Sequence, residues 1–356
     1  MPPAIAKLLE DFDRGRPAAL ARAVSIVENH RPGFDALLGA LHPRTGRAHR
    51  IGITGPPGAG KSTLTTALVA AMRSAGLRVA VIAVDPTSPF TGGALLGDRI
   101  RMERVALDPG VFIRSLATRG SLGGLSAATR ESADVVDAFG FDRILIETVG
   151  VGQSELDVAG TADSTVVVLV PESGDSIQTL KAGLMEIADL FVVNKADRPG
   201  ADRVRHDIQV MLGMRDGAAY GNVPAHHGVD LARIMNPARA AREAAADAHE
   251  GGWMPPVLTT AAAKEQGIDE LVAALDRHRG YLEASGELRR RRLSRLRARV
   301  VEVVDDRLRT RLWRDAGTNG WLDGHLAALA AGETTPFAVA DALIARSGDL
   351  LTRTTR

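Results

Sequence analysis

Gly55, Pro56, Pro57, Gly58, Ala59, Gly60, Lys61, Ser62 and Thr63 put three glycines, a lysine and two hydroxyls into one short stretch, after the apolar run 51–54 and before a helical stretch over 63–74. Glycines let backbone N–H groups converge on an anion, and the helix behind them adds its positive N-terminal end. Lys61 is placed to reach the β and γ phosphates of a nucleotide. The Ser62 hydroxyl suits Mg²⁺, a hard cation that keeps several waters and takes few protein oxygens. A strand before, a helix behind and this spacing between them is the chemistry of holding a phosphate chain.

Other polar residues sit where loops leave predicted strands. Asn194, Lys195 and Asp197 follow the apolar run 190–193, at a strand end of the kind where open α/β sheets bind ligands. A carboxylate at Asp197 accepts from both the ring N–H and the exocyclic amine of guanine, and adenine offers no such pair, so GTP is favoured over ATP. Asp85, Asp98 and Glu147 fall between these two motifs at loop positions. Each is a candidate for the metal shell with Ser62, directly or through water. Glu147-Thr-Val-Gly150 has the shape of an Asp-x-x-Gly switch, but Val151 follows the glycine in place of the glutamine that positions water in Ras-type enzymes. Unassisted hydrolysis is therefore expected to be slow. Gln153 is the nearby candidate for contacting the water, and with Lys61, Asp98 and Glu147 it completes the expected catalytic set.

The elements that must position these groups are legible as a rhythm. Apolar runs at 51–54, 79–84, 111–113, 144–146, 166–170, 191–193 and 257–258 alternate with helical stretches, which predicts an α/β fold with a mostly parallel sheet covered by helices on both faces. Residues 1–45 read as a helical N-terminal extension with a break at Arg31 and Pro32. The nucleotide-binding domain spans 46–280, with a surface insertion at 220–252 that is partly helical over 237–249. Over 281–356 a basic helix carries Leu293, Leu296, Val300, Val304, Leu308 and Leu312 as an apolar stripe, and a last helix starts at Pro336, capped by Thr335.

Composition narrows the classes. The 356 residues contain 44 basic and 43 acidic side chains and no cysteine. That excludes disulfides, thiolate nucleophiles and cysteine metal sites, gives no global positive field for nucleic acid, and fits a cytoplasmic protein. No apolar run reaches membrane-spanning length, so neither nucleic acid nor membrane is an expected partner.

Taken together, the 55–63 loop, Ala83-Val-Asp-Pro86, Gly92-Gly-Ala-Leu-Leu-Gly-Asp98, Glu147-Thr-Val-Gly-Val-Gly-Gln-Ser-Glu155 and Asn194-Lys-Ala-Asp197 resemble the MeaB/ArgK/MMAA family over nearly the whole chain. The resemblance implies a P-loop GTPase of the signal-recognition-like class that binds GTP and GDP with Mg²⁺. It implies a chaperone that gates cobalamin loading and protects or reactivates an adenosylcobalamin-dependent acyl-CoA mutase. It further implies a homodimer joined through the C-terminal helices, and a loop at 175–186, flanked by Gly174 and containing Gly183, that relays nucleotide state. The fifth guanine-contact motif, usually Ser-Ala, falls here at Ala261, Ala262 and Ala263 without its serine, leaving backbone N–H groups to meet the base. No Asp-x-His-x-x-Gly cobalamin motif is present, which leaves that cofactor to the partner. The rival readings are a metal-delivery GTPase, which would normally show His or Cys clusters, and a kinase of a transport protein, for which no acceptor site is evident.

Overall fold

Each of the seven apolar runs becomes a strand, because β-branched and aliphatic residues fit a pleated surface covered on both faces. In the computed structural model, which describes residues 1–86, 102–118, 127–148, 158–173, 182–215 and 252–348, these are β1 His49–Thr54, β2 Val79–Pro86, β3 Val111–Thr118, β4 Arg143–Thr148, β5 Ser164–Leu169, β6 Leu190–Val193 and β7 Val257–Thr259. They form one sheet in the order β3-β2-β4-β1-β5-β6-β7, and every neighbouring pair is parallel. The sheet is thus wholly parallel among the described residues. All six residues of β5 and all four of β6 are buried, which parallel strands between two helical layers require.

The helices of eight residues or more are α1 Pro3–Asp13, α2 Pro17–Glu28, α3 Phe34–Leu41, α4 Lys61–Ser74, α5 Ala127–Ala138, α6 Ala201–Arg215, α7 Ile268–Ala284, α8 Glu287–Arg314, α9 Ala316–Ala330 and α10 Pro336–Arg346 among the described residues. Alternation along the strands sorts them into layers. Ala80, Ile82 and Val84 face one way, with Ile144 and Ile146, against α1, α2, α3 and α5. Val79 and Val81 face the other, with Ile51, Ile53 and Leu145, against α4 and α7. A third cluster, Val167, Leu169, Phe191 and Val193, packs on α6.

The first 45 residues are three helices, with prolines opening α1 and α2. The break expected at Arg31 and Pro32 is flanked by His30 at φ 44° and Gly33 at φ 90°. The chain then enters the sheet over Asp137, whose carboxylate accepts from the backbone N–H groups of Gly46, Arg47 and Ala48 at 2.8, 3.2 and 3.0 Å. Arg50 pairs with the same Asp137 at 3.0 Å and with Asp134 at 2.7 Å.

At the N-terminal ends of the strands lies a buried polar line. His49 Nε2 is 2.7 Å from Ser164 Oγ, which is 2.7 Å from His278 Nδ1. His278 Nε2 stands 3.3 Å from Asp189 Oδ1, while Asp189 Oδ2 accepts the Thr165 N–H at 2.8 Å. The Trp253 indole donates to the Asp189 carbonyl at 2.7 Å and lies 4.6 Å from the His278 ring.

The chain divides into two compact units, Met1–Leu288 and Arg289–Arg356. In the second, α9 is capped by Asp315, whose carboxylate accepts the Thr318 N–H at 2.9 Å. The Thr335 hydroxyl caps α10 by accepting the Ala338 N–H at 3.2 Å, as its sequence predicts. Helix α8 has no buried residue, and its stripe is open, with Leu293, Leu296, Val300, Val304 and Leu308 all exposed. Among the described residues no helix is long and apolar enough to cross a membrane. The 220–251 stretch and most of the 174–186 loop lie outside the described residues; Gly183 falls in a short helix, Ala182–Ile187.

Candidate functional site

The loops that leave β1, β6 and β7 meet at the C-terminal edge of the sheet, where β1 stands between β4 and β5. Gly55 follows β1 with φ 133°, and a Cβ there would sit 2.1 Å from the Val168 carbonyl oxygen. The phosphate loop therefore lies against the backbone of β5, which no other residue allows. Gly60, at φ 82°, is the N-cap of α4, and a Cβ on it would meet the Asn194 amide nitrogen at 2.5 Å. Ala59 is buried, Pro56 and Gly60 are half-buried, and Pro57, Gly58 and Thr63 are exposed.

Lys61, the first residue of α4, is buried, and its ammonium donates to the Gly55 and Pro56 carbonyls at 2.7 and 3.0 Å. The cation is thus stored inside the loop whose N–H groups would hold the phosphates. The Ser62 hydroxyl donates to Glu147 Oε1 at 2.5 Å, and Glu147, near the end of β4, is 1% exposed. Next to it, the Thr148 hydroxyl lies 3.2 Å from that of Thr54. A hydroxyl and a deeply buried carboxylate in contact, both oxygen donors, fit a hard cation bound with waters. Asp85 lies near the end of β2, with its backbone in register with Ala117 of β3. Asp98, Gln153 and the remainder of the 149–155 switch lie outside the described residues.

Asn194 holds the other loops together. Its amide nitrogen donates to the Ala59 carbonyl at 2.9 Å, and its amide oxygen accepts from the Thr260 hydroxyl at 3.1 Å and the Ala262 N–H at 3.2 Å. It is 2% exposed, so one side chain fastens the phosphate loop to the two loops expected to meet the base. The Ala196 N–H donates to the Thr260 carbonyl at 2.9 Å, and Lys195 takes the left-handed conformation at φ 58°. Asp197 carries its carboxylate to the surface, where Oδ2 is 2.9 Å from the Lys264 ammonium. The hydrogen bond from Lys264 holds the Asp197 carboxyl below its ordinary range, so it is ionised and acceptor-only at neutral pH. Ala261 and Ala262 are buried in this turn and Ala263 is exposed.

Sequence reasoning missed Thr260 and Lys264. Neither carries a motif, and each becomes visible only when the loop after β7 is laid beside the loop after β6.

A phosphate loop between β1 and α4, a buried carboxylate near the end of β4 and an Asn-Lys-Ala-Asp segment after β6, all on one parallel sheet, define a P-loop GTPase. Residues 20–317 match the family model described as "Methylmalonyl Co-A mutase-associated GTPase MeaB", and the chain belongs to that family. It is 47% identical over 300 residues to a putative GTPase of Pyrococcus abyssi, covering 84% of each chain. Identity is 32% over 321 residues to the mitochondrial methylmalonic aciduria type A homolog of Caenorhabditis elegans, covering 86% of this chain and 73% of that one. The fold matches the crystal structure described as LAO/AO transport system kinase with a TM-score of 0.64 and 28% identity, over 96% of this chain and 97% of that one. The protein binds guanine nucleotide and hydrolyses GTP.

Proposed function

We propose that this GTPase is a chaperone for an adenosylcobalamin-dependent acyl-CoA mutase, methylmalonyl-CoA mutase or a close relative. It gates cofactor loading and protects or reactivates the enzyme as its nucleotide changes. The observation that carries the switch is the 2.5 Å contact from Ser62 to Glu147, because it couples the phosphate loop to the strand that leads into the switch segment. The client is supported by the family's description as mutase-associated.

In this reading Asp197 accepts the two donors of guanine while Asn194 keeps the loops in register. Lys61 exchanges the Gly55 and Pro56 carbonyls for phosphate oxygens. Ser62 and Glu147, with Asp85 and Asp98, hold Mg²⁺, which neutralises phosphate charge when bound. Gln153 orients the attacking water, and the client completes the site. The exposed stripe of α8 joins two copies into a homodimer, since an apolar face on so charged a helix calls for a partner surface. The protein works in the cytoplasm, and membranes and nucleic acids play no part.

The test is GTP hydrolysis by the purified protein with and without acyl-CoA mutases of the same source. Slow turnover alone and faster turnover with one mutase is the expected result. Equal turnover of ATP and GTP, or no response to any mutase, overturns the reading. Sedimentation of Val300→Glu against the parent checks the dimer.

A further inference from the structure

We propose that Lys264 is a positioning residue for guanine selection, its ammonium fixing the Asp197 carboxylate against the turn that follows β7. The inference rests on the reading of Asp197 as the base acceptor. The two loops are already stitched by the Ala196 N–H to the Thr260 carbonyl at 2.9 Å and by Asn194 bonding Thr260 and Ala262, and the Lys264 N–H closes its own turn on the Ala261 carbonyl at 2.8 Å. What this leaves free is rotation of the Asp197 side chain. Ala261, Ala262 and Ala263 have no side-chain donor to restrain it, and Lys264 is the next side chain along the turn that does.

Its ammonium lies 2.9 Å from Asp197 Oδ2. An ionised carboxylate has about four lone-pair sites, so one cation on Oδ2 leaves an acceptor on each oxygen for the paired donors of guanine. Hypoxanthine, which lacks the exocyclic amine, needs one oxygen and is less sensitive to how the carboxylate is turned. The rival is a solvated ion pair of no consequence, since the side chains are 57% and 35% exposed and many such pairs contribute nothing measurable. The two differ in what happens to nucleotide.

The experiment compares Lys264→Met, Lys264→Arg and Asp197→Asn in the full chain for binding of GDP, IDP, XDP and ADP at low and high salt. For Lys264→Met at low salt, GDP should weaken about threefold to fivefold and IDP less, with ADP unmoved. The loss should appear in KM for GTP rather than in kcat, and shrink at about 0.5 M salt. Lys264→Arg should recover most of it, and the melting temperature without nucleotide should not change. Unchanged GDP affinity for Lys264→Met at low salt, or parallel weakening of GDP and ADP, overturns the proposal. If Asp197→Asn keeps its preference for GDP over XDP, the base reading itself fails. If that preference is lost while Lys264→Met binds GDP normally, only the role of Lys264 falls.

Discussion

The two ends of the sheet treat polar side chains in opposite ways. At the N-terminal ends of β1 and β5, His49, Ser164 and His278 bond one another in a buried line that runs on to Asp189. At the C-terminal edge, Lys61 lends its ammonium to carbonyls of its own loop and Asp197 holds its carboxylate near solvent beside Lys264. The first arrangement is closed to solvent, its side chains turned toward one another, with His49 Nδ1 and His278 Nε2 making no hydrogen bond among the described residues. The second is open to a ligand: the Lys61 ammonium can turn from the loop carbonyls to phosphate oxygens, and the Asp197 carboxylate keeps acceptor sites free while Lys264 holds one oxygen. Mutations at the closed end should therefore be read in stability, and mutations at the open end in nucleotide affinity and turnover.

The largest effect that would break this division is at Lys61. Lys61→Ala should lower kcat for GTP by on the order of 10²–10³-fold, while the urea midpoint of the nucleotide-free protein stays near that of the parent. A collapse of stability would move Lys61 to the closed class. Next, Asp197→Asn should weaken GDP by on the order of 10²-fold, read by calorimetry, and favour XDP, whose carbonyl accepts from the new amide.

At the closed end, Ser164→Ala removes the hydroxyl between two buried imidazoles and should cost about 3 kcal/mol in urea unfolding, with GDP affinity held within about twofold. The mildest test uses pH. Burial pushes the His49 imidazole down to about 3 from an ordinary 6.5, so protonation favours the unfolded chain. The stability this group contributes is complete above pH 6.5 and is lost as pH falls toward 3, at no more than about 1.4 kcal/mol per pH unit. The urea midpoint of His49→Asn should fall less between pH 7 and pH 5 than the parent's; an equal fall would assign the acid sensitivity elsewhere.

The phosphate loop was legible because glycine spacing encodes backbone geometry directly: Gly55 and Gly60 each occupy a position where a Cβ would strike a neighbour. The strands were legible because burial on both faces leaves uninterrupted aliphatic runs. Their ends were read short, as with β3, seen as three residues and observed as Val111–Thr118, because Arg114 and Ser115 interrupt the run. Arg114 is tolerated there because it reaches the edge of the helical layer and pairs with Glu28 of α2. The buried histidine line left no trace in sequence, since His49, Ser164 and His278 are spaced by more than a hundred residues and carry no periodic signal. The function of Asn194 as a fastener was hidden for the same reason. Its motif pointed to the base, whereas its hydrogen bonds go to the phosphate loop and the loop after β7.

The indole pinned at the base of the sheet has an optical consequence. Of the three tryptophans, Trp313 and Trp321 fall in the unit Arg289–Arg356, and Trp253 alone belongs to the unit Met1–Leu288. With Trp313 and Trp321 replaced by phenylalanine, the chain would carry one emitter, 4.6 Å from an imidazole and clamped to the Asp189 carbonyl. Its emission would then follow the melting of the nucleotide-binding unit by itself, and separate that event from whatever the C-terminal helices do.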